Sequence, residues 1–315
     1  MYLTKDLKQL YLPPKSSHKG QNGRLLVIGG SHLFHAASLW ALKVASRIVD
    51  LVHYSSIEEN NKLVQELKKE FRDGIVVPRS NIEDYIMEDD VILIGPGMMR
   101  VDNSNIKYEK SLPRRQSGKT QIKYQKLEQI LKIESEGEQT ETLTNYLLSK
   151  YPQKQWVIDA GALQMLNPDL IPVHAILTPH RMEFDNLVNK SKIKNQKSKL
   201  HIKNQKLDSL VKIFSQEYKC IVLLKGEVDL VANGLTGEIQ EISGGNSGMT
   251  KGGTGDVLAG LIAALSCKND PYLATVAGSI INKQAGDDLY KKVGLFFNAS
   301  DLADQIPRTM KRLLI

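Results

Sequence analysis

The chain has 315 residues, of which 41% are hydrophobic and 24% are charged, a composition that allows a sizeable core and excludes a disordered chain. Its two cysteines, Cys220 and Cys267, give neither a disulfide framework nor metal-ligand spacing, and both are expected in the core of a protein from a reducing compartment. The sequence has no signal peptide and no run of about 18 apolar residues, so we expect a cytoplasmic protein without a membrane span.

The net charge of +7 comes from one stretch of the chain. Residues 190–206 contain seven lysines and no acidic residue, and the remainder of the chain carries equal numbers of basic and acidic residues. A charge run of this kind is typical of a solvated loop, and we prefer that interpretation to a nucleic-acid patch. Binding of nucleic acid would instead predict an affinity that falls steeply with salt and disappears when residues 189–206 are deleted.

A short lysine-rich motif occurs four times in two parts of the chain. Its copies are Ile193–Lys197, Ile202–Lys206, Ile106–Lys110 and Ile122–Lys126. Their irregular spacing excludes a solenoid, which needs a fixed and longer period. We therefore predict one domain over residues 1–315, with low-complexity surface insertions at about 102–137 and at 189–206.

Outside the insertions, short apolar runs alternate with helical stretches. The predicted strands, with the turns that end them, are Leu25–Gly30, Val91–Gly97, Trp156–Ala160, Ala175–Pro179 and Cys220–Gly226, and a helix is predicted over Ala36–Val49. Runs without polar alternation indicate strands that are buried on both faces. The pattern predicts an α/β fold: a doubly wound, mostly parallel sheet between two layers of helices.

Each predicted strand ends in an unusual loop at the sheet edge where such folds bind ligands. One glycine turn alone is explained by the demands of a tight turn, but five together favour a binding site. The last segment, Gly248–Asp256, leads directly into an apolar helix over Val257–Leu265. Converging amides at a helix N-terminus suit a phosphate, although this segment lacks the Gly-Lys-Ser/Thr ending of a Walker loop.

Two charged residues at this edge have competing interpretations. Asp256 could merely stabilise the helix start, but beside Gly252–Gly255 we favour a base that takes the proton of an attacking hydroxyl. Lys225 follows an apolar strand, so it is either a snorkelling surface residue or a nucleotide ligand beside Gly226, and both interpretations remain open.

Five ordered motifs resemble those of the NAD(P)H-hydrate dehydratases. The motifs are Lys19–Ser31, Gly95–Gly97, Asp159–Leu163, Leu177–Phe184 and Gly245–Gly260. The resemblance extends from about Lys19 to Pro307, apart from the two insertions. It implies a ribokinase-like fold and an enzyme that restores NADH and NADPH from the S-form of their hydrates, NADHX and NADPHX. It further implies that hydrolysis of ADP or ATP drives the reaction, and analogy with relatives favours ADP.

The resemblance also implies the site residues. The hydrate would contact Ala37, Gly97, His180 and Asp256; the adenine nucleotide would contact Lys225, Gly226, Glu227, Val228, Asp229 and Gly255; the transferred phosphate would lie on Gly252, Gly253, Thr254 and Gly255. Magnesium is expected on the phosphates, with Glu183 reaching it through water. A homo-oligomer, namely a tetramer, is implied, and we expect a dehydratase without the epimerase domain that relatives often carry.

The sequence departs from this family in two places. His35–Ala36 precedes Ala37 where a glycine is common before the alanine, and Asn282–Lys283 stands where a His-Gly pair is common, which puts a role there in doubt. Two alternatives remain: a small-molecule kinase of the same fold that phosphorylates a vitamin-precursor alcohol, and a nucleotide-binding module without turnover. The Thr-Pro-His and Gly-Pro-Gly loops favour the dehydratase over the kinase, and Asp256 argues against the inactive module.

Overall fold

The computed structural model describes residues 7–101, 126–194 and 207–315. Nine strands form one sheet in the order β3-β2-β1-β4-β5-β6-β7-β8-β9. The strands are β1 Arg24–Ile28, β2 Leu51–Ser55, β3 Ile75–Val76, β4 Val91–Ile94, β5 Gln155–Ile158, β6 Ile176–Leu177, β7 Ile221–Leu224, β8 Asp229–Asn233 and β9 Ile239–Ile242. Strands β1 to β7 pair in parallel, whereas β8 and β9 add an antiparallel edge.

Helices connect the strands and cover both faces of the sheet. They are α1 His35–Ala45, α2 Glu58–Glu66, α3 Ile82–Glu88, α4 Leu127–Ile130, α5 Glu136–Lys150, α6 Ala160–Met165, α7 Arg181–Lys190, α8 Leu207–Tyr218, α9 Thr254–Ser266, α10 Pro271–Val293 and α11 Ala299–Leu314. No helix of the described ranges is long and apolar enough to cross a membrane.

Alternate residues of the central strands enter two separate cores. In β1, Leu25 and Val27 belong to the core that also contains side chains of α1, α9, α10 and α11, while Leu26 and Ile28 belong to the core that contains side chains of α3, α5, α7 and α8. Successive side chains of a strand point to opposite faces, so an uninterrupted apolar run fills both cores. The predicted doubly wound, three-layer α/β fold is confirmed.

All five predicted strand segments contain strands, and both cysteines are buried and free. The two predicted helices exist with shifted bounds: the first ends at Ala45 instead of Val49, and the second begins at Thr254 instead of Val257.

The predicted bounds of the insertions were wrong where the structure describes them. Leu127 and Ile130 of α4 are buried, and Glu136 begins α5, so residues 126–137 belong to the packed fold. Ile193, within the other predicted insertion, is 1% exposed, and Ser191 is also buried. Apolar side chains at these positions fill the core that contains Leu26 and Ile28. The lysines around them obscured this apolar pattern in the sequence. Residues 102–125 and 195–206 lie outside the described residues.

Candidate active site

A cavity of about 730 Å³ opens at the carboxyl ends of the parallel strands. Its walls come from the loops after β6, β7 and β9, the start of α9 and one face of α10. The residues that line it include His180, Lys225, Gly226, Glu227, Asp229, Gly244, Thr254, Gly255, Asn282 and Lys283. The cavity thus brings together most residues of the predicted nucleotide site, which come from separate parts of the chain.

The glycine-rich segment turns sharply before α9. Gly253 has a φ of 94°, and a Cβ there would lie 2.3 Å from a ring carbon of Trp40 in α1. Thr254 donates hydrogen bonds to the carbonyls of Met249 and Lys251, at 2.6 and 2.8 Å, and so fixes the turn. The amide of Thr254 donates a 3.3 Å hydrogen bond to the Lys251 carbonyl. The other first amides of an α-helix have no intrahelical acceptor, which makes a helix start suited to an anion.

Asp256 lies in the first turn of α9, near the Asp159 carboxylate and the ammonium of Lys225. Burial, which has the largest effect, and the Asp159 carboxylate together raise the pKa of Asp256 to about 7, while the ammonium of Lys225 opposes both effects. A carboxylate with a pKa near neutrality exchanges protons readily at physiological pH, which suits a general base. Asp256 therefore has the environment of a catalytic group.

Lys225 connects Asp256 to the strand ends. Its ammonium donates a hydrogen bond of 3.0 Å to the Asp159 carboxylate, which also accepts one of 2.7 Å from Thr178. Burial lowers the pKa of Lys225, but the carboxylates of Asp159 and Glu183 raise it above its ordinary value, so the side chain stays charged. Lys225 is held at the sheet edge, and a Cβ on Gly255 would lie 3.4 Å from its Nζ.

The loop between β7 and β8 contains the rest of the predicted nucleotide-binding stretch. Asp229 is buried and accepts a 2.9 Å hydrogen bond from the amide of Gly226, which closes the loop. Glu227 and Val228 are exposed at its tip; Glu227 lines the cavity, whereas Val228 is not among its lining residues. The loop therefore offers mainly backbone atoms to a ligand.

His180 and Glu183 form a capping box at the start of α7. The His180 ring accepts a hydrogen bond from the Glu183 amide, and the Glu183 carboxylate accepts one of 2.9 Å from the His180 amide. The other oxygen of Glu183 accepts a hydrogen bond from Gln164 at 2.9 Å. Among the described residues, no three His, Cys, Asp or Glu side chains are arranged to hold a metal ion.

Ala37 and Gly97, the remaining predicted contacts of the hydrate, lie close to each other. A Cβ on Gly97 would lie 2.9 Å from the Cβ of Ala37 and 2.7 Å from the carbonyl of Phe34. Ala37 belongs to the same helix as Trp40, which packs on Gly253. Neither Ala37 nor Gly97 lines the 730 Å³ cavity.

Sequence reasoning missed three residues of this site. Asp159 was noted only as part of a motif, although it is 1% exposed and pairs with Lys225. Asn282 and Lys283 were noted as departures from a family pattern, yet both are buried and line the cavity. Asp159 could have been found from the sequence, because it is a charged residue directly after the strand Gln155–Ile158. Lys283 lies within helix α10, where no feature of the sequence indicates a site residue.

Comparisons with known proteins find relatives over most of the chain. The family model described as NAD(P)H-hydrate dehydratase matches residues 133–308. An ADP-dependent (S)-NAD(P)H-hydrate dehydratase of Nitrosopumilus maritimus is 31% identical over 98% of this chain and 96% of its own length.

A second relative and a solved structure extend the comparison. A bifunctional NAD(P)H-hydrate repair enzyme of Methanocaldococcus jannaschii is 31% identical over 97% of this chain, which spans only 52% of that longer protein. A solved ribokinase-like superfamily protein of Enterococcus faecalis has the same fold, with a TM-score of 0.73 at 23% identity, covering 99% of this chain and 95% of that one. The chain belongs to the NAD(P)H-hydrate dehydratase family.

Proposed function

We propose that this protein dehydrates the S-form of hydrated NADH and NADPH and thereby restores the intact cofactors. Hydrolysis of ADP to AMP and phosphate drives the reaction, and ATP would give ADP and phosphate. The observation that carries the proposal is the position of Asp256, with a pKa of about 7, at a helix start between open glycines and Lys225. Relatives of matching length are named as ADP-dependent dehydratases, which supports ADP as the nucleotide.

The chemistry follows from the poor leaving ability of water. Asp256 takes the proton of the hydrate's hydroxyl, and that oxygen attacks the terminal phosphorus of ADP, so AMP leaves. The carbon–oxygen bond then breaks with loss of phosphate, and a proton leaves the neighbouring carbon to restore the double bond. The amides of Gly252, Gly253, Thr254 and Gly255 would hold the transferred phosphate, because helix N-termini stabilise anions.

The remaining roles follow the same proposal. Lys225, Gly226, Glu227, Val228, Asp229 and Gly255 would bind the nucleotide, and Ala37, Gly97 and His180 would contact the hydrate. Magnesium would neutralise charge on the phosphates, with oxygen ligands from the nucleotide and water, and Glu183 would contact it only through water. We further propose a cytoplasmic homo-oligomer, a tetramer by analogy with the family.

The test is recovery of NADH from its hydrate. Purified protein is incubated with hydrated NADH, magnesium and either ADP or ATP, and the return of NADH absorbance is followed. Recovery with ADP is expected. If neither nucleotide supports recovery and the protein instead phosphorylates a vitamin-precursor alcohol, the dehydratase proposal is overturned in favour of a kinase of the same fold.

A further inference from the structure

One face of α10 contacts two walls of the cavity. Ser279, Lys283 and Asp287 are spaced four residues apart on this helix, and such residues share a face. Ser279 donates a hydrogen bond to Asp229 at the start of β8, and Lys283 donates to the loop between β7 and β8. Asp287 accepts a hydrogen bond from the amide of Gly245 in the segment after β9. Helix α10 thus holds both segments in place.

Lys283 makes the contacts that join these two segments. Its Nζ lies 3.1 Å from the carbonyl of Gly226, 3.0 Å from that of Glu227 and 3.3 Å from that of Gly244. The residue is only 5% exposed. An ammonium has three donor hydrogens, so three carbonyls satisfy it and leave no donor for a phosphate.

A buried counterion balances the charge of Lys283. The Asp229 carboxylate lies 3.4 Å from its Nζ, accepts a hydrogen bond from Gly226 on one oxygen and accepts a 2.7 Å hydrogen bond from Ser279 on the other. A buried lysine without such partners would be costly. Each of these partners is a loop carbonyl or a group that itself holds the loop. The charge of Lys283 therefore stabilises the conformation of the loop.

We propose that Lys283 is a positioning residue that fixes the backbone of Lys225–Asp229 and Gly244 in the conformation that binds the adenine nucleotide. This inference rests on the proposed function. A loop that is already ordered loses less conformational entropy when its ligand binds, and its affinity rises accordingly.

The test is ADP binding to the full chain with magnesium, measured by calorimetry in the absence of hydrate. Lys283→Ala is expected to raise the Kd for ADP about tenfold to a hundredfold. The KM for ADP should rise in parallel, while kcat at saturating ADP stays close to that of the wild type. Lys291→Ala removes an exposed lysine two turns along the same helix and should change neither constant.

Two further measurements separate positioning from a general structural role. Propylammonium can enter the space left by Lys283→Ala and should restore ADP affinity, whereas it should have no effect on Lys291→Ala. Exchange of the amide hydrogens of Gly226–Val228 should accelerate in Lys283→Ala. Wild-type affinity in Lys283→Ala, or a fall in kcat with unchanged KM, would overturn the proposal.

Loss of the ammonium leaves Asp229 buried without its counterion, so Lys283→Ala could unfold. In that case Lys283→Gln, which keeps a donor for one carbonyl, is measured instead. It should bind ADP more weakly than the wild type, and equal affinity again overturns the proposal. A wild-type protein that binds ADP but dehydrates no hydrate would refute the proposed function, while the calorimetric comparison would still decide the role of Lys283.

Discussion

The glycines at the strand ends differ in which atoms would surround a side chain at each position. In the first half of the sheet, the protein's own backbone fills the space: a Cβ on Gly29 would lie 2.4 Å from the carbonyl of Pro96, and one on Gly95 would lie 1.8 Å from that of Asp159. At the start of α9, a Cβ on Gly252 would meet nothing within 4 Å, and one on Gly255 would meet only the Nζ of Lys225.

This difference separates glycines that the packing of the fold requires from glycines whose surroundings are open. Gly95 also has a φ of 123°, which a side chain rarely adopts, whereas Gly252 and Gly255 have ordinary backbone angles. Gly253, although it lies between them in sequence, belongs with the first group because Trp40 packs against it. The open space at Gly252 and Gly255 leaves room for the phosphate that we propose there.

The largest effect is expected from Gly95→Ala. The new methyl would overlap the Asp159 carbonyl, which belongs to rigid backbone, and the positive φ adds strain. We expect a loss of about 3–5 kcal/mol in the free energy of unfolding, measured by urea denaturation. Gly20→Ala is the control: its φ of 89° is also positive, but its nearest neighbours are flexible atoms of Arg24, so it should cost much less. Equal losses of the free energy of unfolding in the two variants would show that backbone strain, and not steric overlap, causes the destabilisation.

Asp256→Asn should change activity and stability in opposite directions. Loss of the base should lower kcat about 10²- to 10⁴-fold while ADP binding persists. The pKa of Asp256 is about 7 in the folded protein against an ordinary 3.8, so folding favours its protonated form. Wild type and variant should be equally stable below about pH 4. As the pH rises to about 7, the free energy of unfolding of the wild type should fall below that of the variant by on the order of 2–4 kcal/mol.

Urea denaturation at pH 4, 6 and 8 measures this gap. A variant that is less stable than the wild type at pH 8 would show that Asp256 contributes to packing, as Gly95 does. Retained turnover would remove Asp256 from its catalytic role.

Most of the fold could be predicted from the sequence because its signals are local. The runs in β1, β4, β5 and β7 are apolar without interruption, and each is bounded by turn residues. The antiparallel edge was not predicted, because β8 and β9 include Asp229, Asn233 and Gln240, residues that resemble a loop when read singly. The two-residue strand β3 has too few residues to give a periodic signal.

The same contrast applies to the candidate site. Gly252–Asp256 could be proposed from the sequence because the amides that we expect to bind phosphate and the proposed base are contiguous. Asp159 and Lys225 are 66 residues apart, and Lys283 and Glu227 are 56 apart, so only the folded chain reveals their pairing. Spacing along a sequence carries no information about such contacts, and a lysine in the middle of a helix resembles a surface residue.

Gly252→Ala and Gly255→Ala should weaken nucleotide binding without weakening the fold. Gly252 faces open space, and Gly255 lies in the first turn of α9, where alanine is a better helix former. We expect the free energy of unfolding to change by less than about 1 kcal/mol, and the Kd for ADP to rise about tenfold or more, since the methyl occupies the phosphate space. Urea denaturation and calorimetry measure the two quantities. Unchanged ADP affinity would place the phosphate elsewhere.

The smallest effect is a shift of the pH profile, and it tests whether the region around α9 is tuned by charge. The Asp159 carboxylate raises the pKa of Asp256, while Lys225 lowers it. Because the base acts when deprotonated, kcat/KM should fall below about pH 7 in the wild type. Asp159→Asn should move this acidic limb to lower pH by about one unit. One negative charge near Asp256 is removed, and the ammonium of Lys225 no longer pairs with Asp159.

Lys225→Met should move the acidic limb to higher pH, because it removes the positive charge that lowers the pKa of Asp256. Asp169→Asn is the matched control: Asp169 is an exposed carboxylate paired with Lys192 and should leave the profile unchanged. The measurement is kcat/KM for the hydrate between pH 5 and pH 9, a range of about four units centred on the wild-type limb. If neither Asp159→Asn nor Lys225→Met moves the limb, burial alone sets the pKa of Asp256, and the region around α9 is not tuned by these two charges.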